Sequence, residues 1–393
     1  MSFSGKAVAE ARERAASLVE RAPAYSDPVD WNQEGACIAA ALWHSEFGRG
    51  TSLDGSIINA AARRKERLFG GQLFAVVPVY VTSICAERCL YCNFRAGNRG
   101  VELERIRLSS EQLEAEVRHL VGQKGLRVIE LVYATDPLIR IGRMCRDVER
   151  VQALLAKHGG GAVGINAEAL DEWEYRQLKN AGLNFAVLWQ ETYDQERYAE
   201  LHPGSTKKTC FEYRLGAVER MLSAGIEAFG MGVLSGLSDW RTDWALLMEH
   251  EAYLTRTYGF GPAILGVPRL KPAAGAVVQR TSTTPSRQEF KALVALHNLF
   301  APSTMPFLNT REPWDLCFEM ASGGGALFTF NCSTIPGGYA AGTRGYQFPT
   351  GSFDAAEFAP VLARGGLSPM FGWRFEGQYP VSTDERMAAT VGV

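Results

Sequence analysis

Nowhere does the 393-residue sequence run to the about 18 consecutive apolar residues that a membrane-spanning helix needs. It opens on MSFSGKAVAEARERAASLVER, a charged helical pattern without the apolar core of a signal peptide. Neither sign of charge is in excess. The chain carries 41 Lys and Arg against 43 Asp and Glu, a net charge of −2, which leaves no global field to attract nucleic acid or an anionic membrane. Low-complexity tracts and short repeats are missing. So is any second CxxC pair or HxxxH pair that would complete a four-ligand structural zinc site. These absences predict a cytoplasmic protein whose partners are small molecules, with neither a nucleic-acid nor a membrane partner.

Cysteine is present but unevenly spread. Of the eight cysteines, three crowd into Cys85, Cys89 and Cys92, while Cys37, Cys145, Cys210, Cys317 and Cys332 are scattered singly. That distribution does not resemble a secreted disulfide framework, and in a reducing compartment such a cluster binds metal. The scattered ones read as small buried hydrophobes. Cys332, beside Ser333 and a Pro-Gly-Gly-Tyr loop, is the exception that could reach an active site.

Residues 1–70 are helix-rich by periodicity and read as an N-terminal extension. From Phe74 onward, short apolar runs alternate with amphipathic segments. FAVVPVYV precedes a helix over 110–122, VIELVY one over 141–157, AVGIN one over 171–181, and NFAVLWQ one over 211–224. AFGMGVL, AILGVP and MPFL then precede helices over 240–257, 286–300 and 313–322, and ALFTF closes the series. Continuous apolar runs suit parallel strands buried on both faces. Eight strands alternating with amphipathic helices predict a (β/α)8 barrel of the TIM type over 71–335, followed by a closing segment over 336–393.

The three clustered thiols follow the first strand, at the C-terminal face where barrel enzymes keep their active sites. Soft, sulfide-bridged iron takes thiolate ligands, and a short loop lets several converge at little ordering cost. Three ligands on a [4Fe–4S] cluster leave one iron open to another molecule.

Cys-x3-Cys-x2-Cys with Tyr91 just before the last cysteine, opening a (β/α)8 pattern, resembles the radical S-adenosylmethionine (SAM) superfamily. PVYVTSIC, WQETYDQERYAELHPGSTKK, GVPRLKPA, FLNTREP and CSTIPGGYA extend the likeness over roughly residues 70–375. Together they resemble the aromatic amino acid lyases: the thiamine-pathway tyrosine lyase (2-iminoacetate synthase), the tyrosine lyase of [FeFe]-hydrogenase maturation, and the tryptophan lyase that makes 3-methyl-2-indolic acid.

The resemblance implies a cluster on Cys85, Cys89 and Cys92 that cleaves SAM to a 5′-deoxyadenosyl radical, which abstracts hydrogen from a free aromatic amino acid so that it breaks at a bond to Cα. Tyrosine would yield dehydroglycine (2-iminoacetate) and p-cresol. The His202-Pro203 loop with its lysines and the Pro-Gly-Gly-Tyr segment point to tyrosine, whereas Thr310-Arg311-Glu312-Pro313 is shared with the tryptophan enzyme. A reductase, flavodoxin or ferredoxin is implied as electron donor.

By the same resemblance, Arg311 clamps the substrate carboxylate, for which a planar guanidinium offers two parallel hydrogen bonds. Tyr80 aligns with an active-site tyrosine, although a core tyrosine fits equally. Tyr91 is expected beside the SAM adenine. Asn166, Gln190 and Glu191, at the ends of barrel strands, are expected to contact SAM or substrate. Arg214 and Arg269 either bind a carboxylate of SAM or substrate or pair with acidic neighbours. His202 either exchanges a proton near the fragmenting phenol or caps its own loop.

Two departures stand out. Where the superfamily carries a Gly-Gly-Glu-like turn whose glutamate receives the SAM ammonium, this sequence has Tyr133-Ala134-Thr135-Asp136-Pro137, so Thr135 or Asp136 is expected to take that role. The stretch Pro369-Met370-Phe371-Gly372-Trp373-Arg374-Phe375 contains no cysteine, unlike the hydrogenase-maturing lyase, so carbon monoxide and cyanide synthesis on an auxiliary cluster is not expected. A ring-forming or skeleton-rearranging reaction on the same barrel, and a non-catalytic iron–sulfur scaffold, remain the competing expectations.

Overall fold

The computed structural model describes residues 3–21, 53–100, 103–259, 261–301, 304–351 and 353–383. Cys37 lies outside the described residues. Among the described residues two helices, α1 (Gly5–Arg21) and α2 (Leu53–Phe69), precede the first strand.

Eight parallel strands then close on themselves: β1 (Gln72–Thr82), β2 (Val128–Tyr133), β3 (Ala162–Asn166), β4 (Phe185–Glu191), β5 (Phe229–Val233), β6 (Ile264–Gly266), β7 (Met305–Leu308) and β8 (Leu327–Thr329). β1 pairs with β2 on one side and β8 on the other, so no barrel strand keeps a free edge. This is a (β/α)8 barrel, as the alternation of apolar runs and amphipathic segments predicts.

Helices α3 (Ser110–Lys124), α4 (Ile141–Ala156), α5 (Glu172–Asn180), α6 (Gln195–Leu201), α7 (Phe211–Leu215), α8 (Ala217–Ser223), α9 (Trp240–Tyr258), α10 (Arg287–Phe300) and α11 (Trp314–Ser322) lie between or beside the strands. The helix expected over 211–224 is broken at Gly216, where φ −77° and ψ 7° leave the helical region. None of the described helices is long and apolar enough to cross a membrane.

Alternation along each strand divides the side chains. On β1, Leu73, Ala75, Val77, Val79 and Val81 face the helices, while Phe74 and Val76 join Val128, Phe185, Val187, Ile264 and Leu327 inside the barrel. Those inward residues form an apolar plug. After the barrel come α12 (Ala355–Arg364), β9 (Ser368–Met370), which pairs with the start of β1, and the hairpin β10 (Trp373–Glu376) and β11 (Tyr379–Ser382). Trp373 donates its indole N–H to Ala75 O (2.8 Å) and meets Phe74 edge to face, sealing the N-terminal end. The other end stays open. Gly266 shapes it, because a Cβ there would overlap the Trp189 ring.

Candidate active site

A cavity of about 190 Å3 opens at the C-terminal ends of the strands. Cys85, Cys89 and Cys92 all line it, on a loop without regular secondary structure. The Arg105 guanidinium holds that loop by donating to the carbonyls of Ser83 (2.8 Å), Phe94 (2.8 Å) and Arg95 (3.1 Å). Gln347 Nε2 donates to Cys92 Sγ (3.4 Å), and backbone N–H groups at Glu87 and Thr135 serve Cys85. Burial pushes the Cys85 thiol up to about 11 and raises Cys89 and Cys92 as well, while the nearby Lys208 ammonium pulls all three back. Among the described residues no three His, Cys, Asp or Glu side chains converge on a point that would hold a single ion. A four-iron cluster asks for something else, one thiolate per iron on a shared wall.

Tyr91 also lines the cavity, and its orientation is fixed from behind. His202 Nδ1–H donates to Tyr198 O (2.8 Å), which leaves Nε2 to accept from the Tyr91 hydroxyl (2.8 Å). Burial lowers His202 to about 3, so the ring is neutral. It braces Tyr91 and does not itself line the cavity.

Beside Cys89 lies a balanced group of charges. Arg214, only 4% exposed, bonds Glu168, Glu191 (3.2 Å) and Trp189 O (2.9 Å), and Lys208 reaches both carboxylates at 3.4 Å. Glu191 reaches the cavity through a bulge, with φ at +75°, a strained value for a non-glycine residue. That bulge turns Gln190 away. Gln190 is buried outside the cavity lining, its Nε2 without a hydrogen-bond partner.

The turn after β2 corrects one expectation. Thr135 lines the cavity, but Asp136 does not. Both Asp136 oxygens accept from Arg107 at 2.6 Å, and the Thr82 hydroxyl (2.8 Å) and Leu138 N–H (3.0 Å) fill the remaining positions, so no acceptor is left for an ammonium. Of the two readings of Arg269, the structure shows the pairing with an acidic neighbour. Arg269 forms a bidentate pair with Glu312, donates to Pro285 O, and is absent from the cavity wall.

Arg311 behaves oppositely. Its guanidinium lies over the Phe348 ring, 3.4 Å from the centroid, its Nε has no hydrogen-bond partner, and no carboxylate forms a salt bridge with it among the described residues. Tyr80 donates to Gln347 Oε1 (2.8 Å) and lines the same chamber with Asn166, Trp189, Phe307 and Cys332. The Cys332 thiol sits against the hydroxyls of Thr310 and Thr350.

A model of the "Radical SAM superfamily" matches residues 79–246. The chain is 32% identical over 287 residues to 2-iminoacetate synthase of Escherichia coli (strain K12), covering 71% of this chain and 72% of that protein. The chain belongs to the radical SAM superfamily. Within it the fold is shared with HydG, a maturase of the [FeFe]-hydrogenase. The HydG structure from Carboxydothermus hydrogenoformans superimposes with a TM-score of 0.76 at 31% identity, over 93% of this chain and 81% of that one. At 26% identity over 249 residues, covering 63% of this chain and 65% of that protein, the chain is also similar to 3-methylornithine synthase of Methanosarcina acetivorans. As a radical SAM enzyme it uses a [4Fe–4S] cluster and SAM.

Sequence reasoning overlooked Glu87, Glu130, Glu168, Lys208, Gln347 and Phe348, all of which line the cavity. Glu130 alone left a clear signal, a carboxylate inside the apolar run VIELVY.

Proposed function

We propose that this chain is a radical SAM carbon–carbon lyase that breaks a bond to Cα of a free aromatic L-amino acid. Tyrosine is the favoured substrate, giving dehydroglycine and p-cresol. The observation that carries the reading is Arg311, a half-buried cation with its Nε buried and no carboxylate partner among the described residues, on the wall of the cavity that also holds the three clustered thiols. A charge partly withdrawn from water without a counter-ion is costly, and a substrate carboxylate would complete it.

Cys85, Cys89 and Cys92 fit a cluster because they share one wall, form no disulfide, and receive N–H donors and a nearby cation that suit thiolate charge. Cluster and SAM together supply a 5′-deoxyadenosyl radical when bound. Thr135, Asn166, Glu191, Arg214 and Tyr91 are the residues assigned to SAM, whose zwitterionic methionine end suits the mixed charges of Glu168, Glu191, Lys208 and Arg214. Trp189, Phe307, Tyr80 and Phe348 give the remaining chamber an aromatic wall that suits an aromatic side chain and excludes water. The electron comes from a reductase, flavodoxin or ferredoxin.

The test is anaerobic turnover of the reconstituted protein with dithionite, SAM and each aromatic amino acid in turn. 5′-Deoxyadenosine that rises with tyrosine and is matched by p-cresol supports the lyase; deoxyadenosine that ignores every amino acid contradicts it. The likeness to 3-methylornithine synthase favours a second reading, skeleton rearrangement, whose product would keep the mass of its substrate.

A further inference from the structure

The barrel interior contains a charge that the assignments above leave unused. Apart from Glu191 at its strand's end, Glu130 is the one ionisable acid in the eight barrel strands. It faces inward, because its neighbours Ile129 and Leu131 pack against the helices while Val128 lies in the apolar plug and Val132 packs near Cys85 and Cys92. Glu130 therefore stands at the boundary between plug and cavity. It is 8% exposed and lines both the main cavity and a small void walled by Val76, Phe185, Val187, Trp189 and Phe307.

Its hydrogen bonding is half complete. Asn166 Nδ2 donates to Oε1 (3.1 Å), and no protein donor reaches Oε2 among the described residues. No lysine or arginine forms a salt bridge with it there either. Arg311, the other unpaired charge of the chamber, does not pair with it. A leucine would fit the apolar plug better and spare the chain the cost of burying a carboxyl, which here is raised by that burial to about 7. Such a group persists where something outside the protein completes its hydrogen bonding.

We infer that Glu130, supported by Asn166, receives a hydrogen-bond donor at the far end of the substrate's side chain, so that the cavity selects amino acids whose side chain ends in O–H or N–H. This rests on the reading of the cavity as an amino acid site and deepens it. Arg311 would take one end of the substrate and Glu130 the other, and the aromatic wall between them would hold the ring. Phenylalanine, which fills the same volume without a donor, would leave Oε2 desolvated and unpaired.

The test measures amino acid affinity by calorimetry on the reconstituted protein with SAM, and kcat/KM for amino-acid-dependent 5′-deoxyadenosine formation. The panel is tyrosine, tryptophan, phenylalanine, lysine and ornithine, with wild type, Glu130→Leu and the similarly long, acceptor-poor Glu130→Met, which covers the case that Glu130→Leu misfolds. The wild type is expected to prefer donor-bearing side chains over phenylalanine by about 100-fold in kcat/KM. Glu130→Leu, or Glu130→Met in its place, should bring that ratio to within about threefold, with the loss falling on the donor-bearing substrate. An unchanged ratio in both variants overturns the inference. If only lysine or ornithine stimulates the wild type and the variants lose that response, Glu130 keeps its role while the aromatic lyase reading falls. If phenylalanine equals tyrosine in the wild type, the lyase reading stands and the Glu130 inference falls.

Discussion

The Arg311 guanidinium carbon lies 3.4 Å from the centre of the Phe348 ring, on a cavity wall where no carboxylate among the described residues forms a salt bridge with it. The aromatic face steadies the cation while keeping its outer edge free, and cation–π contacts of this kind contribute about 1–2 kcal/mol when desolvated. Two parallel charge-assisted hydrogen bonds to a substrate carboxylate would add about 3 kcal/mol.

Arg311→Ala is therefore expected to lower kcat/KM for amino acid turnover by about 100-fold while SAM cleavage without substrate persists. Arg311→Lys should recover little, since an ammonium lacks the two-pronged geometry. Unchanged amino acid affinity in a calorimetric titration of Arg311→Ala would remove the residue from the substrate site.

Cys89→Ala should lose both cluster and radical chemistry, seen as a fall in iron and sulfide content together with the loss of 5′-deoxyadenosine. Arg105→Ala tests the loop that carries the thiols. Its three carbonyl acceptors lose their donor, so the cluster should form but be lost faster to a chelator than in wild type. An equal rate of loss would show that the loop keeps its shape without that clamp.

Asp136→Asn decides between the two roles weighed for that residue. Its carboxylate ties Arg107 to Thr82 and the turn after β2, and the substitution is expected to cost about 2 kcal/mol of stability with SAM affinity little changed. A tenfold loss of SAM affinity without loss of stability would return the ammonium-binding role to Asp136.

Between about pH 7 and 5 the pH dependence of folding is dominated by three buried histidines and three buried carboxyls. Burial lowers His202, His250 and His297 to about 3, so between about pH 6.5 and 3 the unfolded chain holds three protons that the folded chain lacks, and stability falls as pH drops. Burial raises Glu130 and Asp243 to about 7 and Glu251 well above its usual range, so between about pH 7 and 4.5 the folded chain holds three protons that the unfolded chain lacks. The two sets oppose each other until the unfolded carboxyls also protonate. Denaturant titrations of the cluster-free protein should give a nearly level unfolding free energy from pH 7 to about pH 5, then a loss of at least about 4 kcal/mol per pH unit below about pH 4.5, where Glu168 and Asp354, each lowered to about 2, add to the three histidines. A steady decline beginning at pH 7 would contradict this balance.

All eight strands could be read from the sequence because burial on both faces demands continuous apolar runs, as in FAVVPVYV and VIELVY. The thiol loop could be read because its ligands are neighbours in sequence. Gln347 and Phe348 could not, since they arrive from a loop beyond the last barrel strand that has no periodicity of its own. Nor could the pairing of Arg214 and Lys208 with Glu168 and Glu191, which the segment after β3, the end of β4, a short helical turn and α7 bring together. Asp136 could not be placed and the two readings of Arg269 could not be separated for one reason: a charged residue in a motif looks free until its partner is known, and Arg107 and Glu312 occupy them.

The central claim is a broken bond to Cα, and isotope position tests it most directly. Tyrosine carrying carbon-13 at Cα is turned over anaerobically with SAM and reductant, and the products are separated by mass spectrometry. The account predicts unlabelled p-cresol, with the label in dehydroglycine, recovered as glyoxylate after hydrolysis. Label that stays joined to the aromatic ring in every product would contradict it.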